Sequence, residues 1–178
     1  ELDIYASTPI LTWMFLTLAI LGGASVTIQH VVTKSYEKSW VWLLGLLVLV
    51  LCRLGYLYIP YIRDYASFLG DNITQWGYIQ DVLSTGHFYI GNYYPITHSL
   101  ISQTILITGI PTGYLANLGA AVFSAFYIVV IFLLATAVLP DRSHQLLATV
   151  VAGTVMVVGE YNVFLIPNGW SILMLPLL

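Results

Sequence analysis

Three side chains in the middle of the chain stand at a spacing that could do chemistry. Asp71, Gln75 and Tyr78 fall at i, i+4 and i+7 of DNITQWGYIQDVLS, whose apolar residues at 73, 76, 79, 82 and 83 recur with a helical period. That spacing lays a carboxylate, an amide and a phenol along one stripe of a helix. Asp71 follows Gly70 and opens the segment, so two readings stand together: a helix N-cap worth about 1 kcal/mol, or a carboxylate placed to take a proton. One residue can serve both. Asp81, on the same segment, reads as a solvated surface acid. His98 follows Tyr94-Pro95-Ile96-Thr97, where the chain re-enters an apolar run, and is either a polar anchor or a group that binds phosphate or sugar.

Two more ionisable residues lie inside apolar stretches, where charge is costly and a functional use is a reasonable expectation. Arg53 has three candidate roles: snorkelling to headgroups, pairing with an acid of the following loop, or holding a lipid phosphate with two parallel hydrogen bonds. Glu160 stands fourteen residues beyond Leu146, about 21 Å of helical rise, which would bring it to the same side as Asp71. Its plainer reading is an interfacial glutamate. No HxxxH, HExxH or clustered His/Asp spacing gives a metal site. The single cysteine, Cys52, excludes an internal disulfide and any CxxC motif.

What positions these groups follows from composition. The 178 residues are 59% hydrophobic and 7% charged, with a mean hydropathy of +0.89, whereas roughly a quarter of an ordinary soluble domain is charged. Such a chain belongs in a membrane. It has no basic patch, which excludes nucleic acid as a partner. The expected fold is all-α, a polytopic membrane helical bundle with an outer loop of short amphipathic surface helices.

A crossing helix needs about 20 apolar residues. Residues 9–28, 40–60, 113–139 and 146–166 are expected to span, and residues 171–178 read as the start of another helix. Pro9 behind Thr8 suits a helix start, and the first run lacks the basic region and cleavage site of a signal peptide. Lys34 and Lys38 put the first connection on the cytoplasmic side. The loop 61–112 is then extracytoplasmic, carrying surface helices over 71–85, closed by Gly86, and over 98–109. The second rises only about 18 Å as a helix, too short to cross. The 113–139 span then returns Arg142 to the cytoplasm. Asn72-Ile73-Thr74 is a glycosylation sequon, read as coincidental on a membrane-lying helix. Glu1 in place of Met and an end at Leu178 within an apolar run suggest a piece of a longer chain.

The stretch from Arg53 to Leu134 resembles the start of an integral-membrane GT-C glycosyltransferase, nearest the protein-mannosyltransferase and aminoarabinose-transferase branch. Arg53-Leu54 matches the pair that closes a spanning helix in that branch. Asp71 matches an acid opening a surface helix, Gly86 the glycine ending it, Tyr94-Pro95 a proline-containing re-entry, and Gly109 the end of a short amphipathic segment before the next span. The chain departs from the branch at Asn72, where a second acid is usual, and at Tyr94, where a double proline is usual. Residues 9–28 would be an additional span.

The resemblance implies an enzyme that moves a sugar from a polyprenyl-phosphate donor to a protein or glycan acceptor at the extracytoplasmic surface. Asp71 would act as general base on an acceptor hydroxyl, or orient an acceptor amide, sheltered by Trp76 and nearby tyrosines. Arg53, His98 and Arg63 would be the nearby groups able to receive the leaving phosphate. Gln75, Tyr78, Tyr94 and Glu160 would complete the substrate site. A divalent cation is left open, since some relatives of the fold use one, but one acid does not make a site. Two other classes fit the same composition: a non-catalytic membrane subunit whose aromatic loop binds a partner, and a transporter or flippase fragment with Arg53 and Glu160 along a path. The Gly and Pro breaks lie mostly at helix ends, which speaks against the transporter.

Overall fold

A computed structural model describes residues 6–62, 71–155 and 165–177, and these are helical with no strand among them. Among the described residues seven α-helices follow in order: α1 Ile10–Val32, α2 Val41–Ile62, α3 Asp71–Thr85, α4 Pro95–Thr108, α5 Thr112–Val138, α6 Arg142–Thr154 and α7 Pro167–Met174. Three of them, α1, α2 and α5, are long and apolar enough to cross a membrane. At 1.5 Å per residue they measure about 35, 33 and 40 Å, against about 30 Å of hydrocarbon.

α1 and α2 pack as a hairpin whose contact point is set by small residues. A Cβ placed on Gly23 would stand 2.7 Å from the Gly45 carbonyl oxygen, and one on Gly45 would stand 2.6 Å from that of Gly23. Neither backbone has room for a side chain, so the two glycines allow a close crossing. Thr27, fully buried, rests its Oγ1 3.1 Å from Gly23 O and 3.3 Å from Trp42 O, which adds a polar tie at the same place.

α5 is the shared wall. Near its N-terminus Leu115 packs with Ile79 of α3, Ile101 of α4, Leu165 and Trp170 of α7. Trp170 stacks on Phe123 at 4.3 Å between ring centres. Near the other end Phe132 packs with Val31, Trp42 and Leu146. The connection from α1 to α2 meets the first turn of α6 there, where Ser143 donates to the Tyr36 hydroxyl at 3.3 Å. α3 and α4 end on Gly86 and Gly109, at φ +73° and +71°, the left-handed geometry that closes helices and suits glycine.

Two expectations about the helices need correction. Where a span is expected over 146–166, the described residues hold a helix over Arg142–Thr154, about 20 Å long and followed by an extended Val155, and residues 156–164 lie outside the described residues. The helix expected over 171–178 begins earlier, at Pro167, and gives way to a 3-10 turn over Leu175–Leu177.

The end of α6 has a visible partner. Arg53, on α2, is 2% exposed, so it does not snorkel. Its Nε donates to Ser124 Oγ on α5 at 2.9 Å, and one Nη donates to the carbonyls of Ala152 and Val155 at 2.8 and 3.1 Å. A helix leaves its last four carbonyls without intrahelical partners, and a cation there meets the negative end of the dipole. Arg53 thus caps α6 while tying it to α2 and α5. Replacing Arg53 with Leu orphans buried carbonyls and is expected to cost about 2–4 kcal/mol. Unfolding of the detergent-solubilised protein checks this, and a loss under about 0.5 kcal/mol, the size of an ordinary surface change, would show that the cap carries little.

Candidate functional site

α3 buries an unexpected face. Apolar periodicity favoured Ile73 and Trp76 alongside Ile79, yet Ile73 is exposed, and the buried residues are Asn72, Gln75 and Ile79. Burying two amides is tolerable only where their hydrogen bonds are made. Asn72 Oδ1 accepts the Leu165 backbone N–H at 3.1 Å, pinning the segment before α7 to α3. The sequon therefore has its asparagine facing the protein interior.

Gln75 links α3 to α4. Its Nε2 donates to both oxygens of Asp71, at 3.1 Å each, and its Oε1 lies 2.8 Å from His98 Nε2. On the other side of the imidazole, Nδ1 lies 2.8 Å from Asn92 Oδ1. That same oxygen accepts the Tyr94 N–H at 3.0 Å, just before Pro95 begins α4. The result is a chain of polar groups running Asp71, Gln75, His98, Asn92. His98 is wholly buried, with the Tyr78 ring tilted against it at 5.3 Å, and Tyr78 in turn stacks on Tyr89 at 6.1 Å.

Each amide in the chain has its orientation set from outside. A carboxylate accepts only, so Gln75 must turn its NH2 toward Asp71 and its oxygen toward His98. Asn92 must likewise offer its oxygen to the Tyr94 N–H. Burial, the larger influence, lowers the His98 pKa from its ordinary 6.5, and the negative Asp71 opposes it. Both ring nitrogens face amide oxygens, Gln75 Oε1 and Asn92 Oδ1, so a neutral ring with its single N–H donates to one of them and only the doubly protonated ring donates to both, while Asn92 Nδ2 has no partner.

Of the residues singled out in the sequence, Asp71, Gln75, Tyr78 and His98 come together, and Tyr94 joins through its backbone. Arg53 does not join them: its hydrogen bonds to Ser124 and to α6 place it in the helix packing described above. Glu160 and Arg63 lie outside the described residues. Asp71 itself is exposed rather than sheltered by Trp76, at the rim of the buried pair formed by Gln75 and His98. Asn92 was missed, its one sequence cue being a turn-forming residue two positions before Tyr94.

The surroundings are apolar and aromatic. Ile90, Tyr93 and Ile96 are at least 83% exposed, and a hollow of about 360 Å³ lies along α4 between Phe88, Pro95, Ile96, Leu100 and Gln103. Neither this hollow nor the one at the opposite end of α5 is lined by Asp71. Among the described residues no three His, Cys, Asp or Glu side chains are grouped to hold a metal ion.

The lowered His98 pKa fixes the sign of a pH dependence. Between the folded value and the unfolded 6.5 the unfolded chain binds the extra proton, so stability is present above about pH 6.5 and is lost as the pH falls below it. Asp71→Asn removes the opposing charge, lowers the folded pKa further and should enlarge the drop in unfolding midpoint between pH 7.5 and pH 5. In a His98→Gln background that enlargement should vanish. Equal acid sensitivity with and without the Asp71 charge would mean that the carboxylate is not felt at the ring. Compared with protein-family models, with curated proteins and with solved structures, the chain matches none of them.

Proposed function

We propose that the chain is part of a membrane glycosyltransferase that uses a polyprenyl-phosphate sugar, with Asp71 as its general base. The observation that carries the reading is the fixed carboxylate: Asp71 opens a short helix between two helices able to cross a membrane, and Gln75 and His98 hold it there from behind. A lipid-linked sugar presents its anomeric carbon at headgroup level, so a base for it must stand at the surface and accept a proton from a second, water-borne or protein substrate. An exposed carboxylate meets that requirement. The aromatic and aliphatic surface of residues 88–96 suits the membrane interface, where tyrosines and tryptophans gather, and short amphipathic helices rest there.

In the reaction the acceptor hydroxyl oxygen attacks the anomeric carbon as its proton passes to Asp71. The bond from that carbon to the phosphate oxygen breaks, and polyprenyl phosphate departs with the bonding electrons. Gln75 does not touch substrate. Its two hydrogen bonds fix the direction of the Asp71 lone pairs, which is the orientation on which proton transfer depends. The phosphate requires donors or positive charge, and Arg53 is spoken for by Ser124 and the end of α6.

Asp71→Asn keeps an oxygen for Gln75 and so should fold as the parent does. In liposomes carrying the full protein and a polyprenyl-phosphate sugar, it is expected to transfer about 10²- to 10⁴-fold more slowly. Unchanged turnover would remove Asp71 from the mechanism. No transfer by the parent from any polyprenyl-phosphate sugar would leave the non-catalytic membrane subunit as the better account.

A further inference from the structure

At the opposite end of α5 from Asp71, about 26 Å away as measured from Leu115 to Phe132 along the helix, a second hollow opens between α2, α5 and α6. Its volume is about 550 Å³, and it is walled by Leu46, Leu47 and Val50 of α2 and by Val129 and Phe132 of α5, with Arg142 at its end. Volumes of this order hold small ligands or a single aliphatic chain. The walls carry no charge, and Leu47 and Val129 are about half exposed, so the hollow opens on the side that a bilayer would cover.

Arg142 is held in place without being neutralised. Its guanidinium carbon lies 5.2 Å from the centre of the Trp42 ring and 4.8 Å from that of Phe132. One Nη donates to Gln145 Oε1 at 3.2 Å, and Gln145 is itself oriented by donating to the Leu139 carbonyl at 2.8 Å. A guanidinium has five N–H donors, and these contacts use one. No carboxylate among the described residues pairs with it, and its neighbour Asp141 pairs with His144 at 3.3 Å. Lys34 and Lys38 belong to the connection that Ser143 and Tyr36 bring to this same end, beside Glu37. Three of the five Lys and Arg residues thus gather where an apolar groove meets the end of the spanning helices.

We propose that this groove binds one chain of an anionic phospholipid, whose phosphate oxygens accept hydrogen bonds from the unused N–H groups of Arg142. The chemistry on each part is complementary: an aliphatic chain against Leu, Val and Phe, and a phosphate against a planar, preset guanidinium suited to bidentate contact. The alternative is that Arg142 only straps α6 to α2 and α5 through its ring contacts. A strap does not discriminate between headgroups. The site is separate from Asp71 and does not rest on the transferase reading.

The test is native mass spectrometry of the full chain in neutral detergent, offered dioleoyl phosphatidylglycerol and dioleoyl phosphatidylcholine, whose tails are identical. The parent should retain one phosphatidylglycerol in preference by about tenfold: both lipids offer a phosphate, but in phosphatidylcholine the choline ammonium offsets its charge and meets Arg142 as a like charge. Arg142→Gln should bring the ratio near one. Val129→Trp keeps the arginine, fills the groove from a half-exposed position and should abolish retention of either lipid while the helical circular dichroism is unchanged. Several results would overturn the proposal. These are equal retention of the two lipids by the parent, a preference undiminished in Arg142→Gln, and lipid still held by Val129→Trp. Retention of inorganic phosphate in place of phosphatidylglycerol when both are offered at equal concentration would show a bare anion site and also overturn it. So would a dimer of the parent that Val129→Trp dissolves, since a second copy would then fill the groove.

Discussion

The amide of Gln75 faces a carboxylate on one side and an imidazole on the other, and it cannot rotate without setting like against like. Its NH2 must meet Asp71 and its oxygen must meet His98. A buried amide with both ends committed joins two helices at a defined register, because leaving either end unpaired in a water-poor interior costs about 1–3 kcal/mol. From that constraint follow the inward turn of α3's polar side, the burial of His98, and the position of the aromatic stretch between the two short helices. Ile79, one turn beyond Gln75, then reaches the apolar cluster with Ile101, Leu115 and Trp170.

A second polar constraint works at the level of the long helices. In a bilayer every backbone group must find its partner within the protein, and a helix that stops early exposes carbonyls. Arg53 meets that need for α6 and links three helices through one side chain. Arg142 has a different setting: rings on both sides, one amide acceptor and, among the described residues, no acid. Two arginines in a chain with so few charges therefore do opposite things, one satisfying the protein itself and one offering donors outward.

Much of the helical layout was legible because it depends on local composition and length. α1, α2 and α5 are apolar over more than a bilayer thickness, and glycines such as Gly86 and Gly109 mark helix ends by backbone geometry that other residues resist. The stop of α6 was not legible. The apolar run continues past Thr154, and the group that satisfies carbonyls at the helix end is an arginine about a hundred residues earlier in the chain. The buried face of α3 was hidden for the same reason. Asn72 and Gln75 look like surface residues until Leu165 and His98, 93 and 23 positions away, come to meet them. Periodicity sees side chains one at a time, whereas the burial of a polar group is decided by a partner. The spacing of Asp71, Gln75 and Tyr78 did place three members of the site on one stripe, although Gln75 and Tyr78 turn toward His98 and only Asp71 stays exposed at the rim.

The central claim is that Gln75 serves Asp71. A double-mutant cycle on sugar transfer from a polyprenyl-phosphate donor tests it most directly, combining Gln75→Met with Asp71→Asn. The account predicts that Gln75→Met slows transfer when Asp71 is present and has no further effect once Asp71 is Asn, since a positioning residue has nothing left to position. Losses that add independently, or a Gln75→Met variant as fast as the parent, would contradict it.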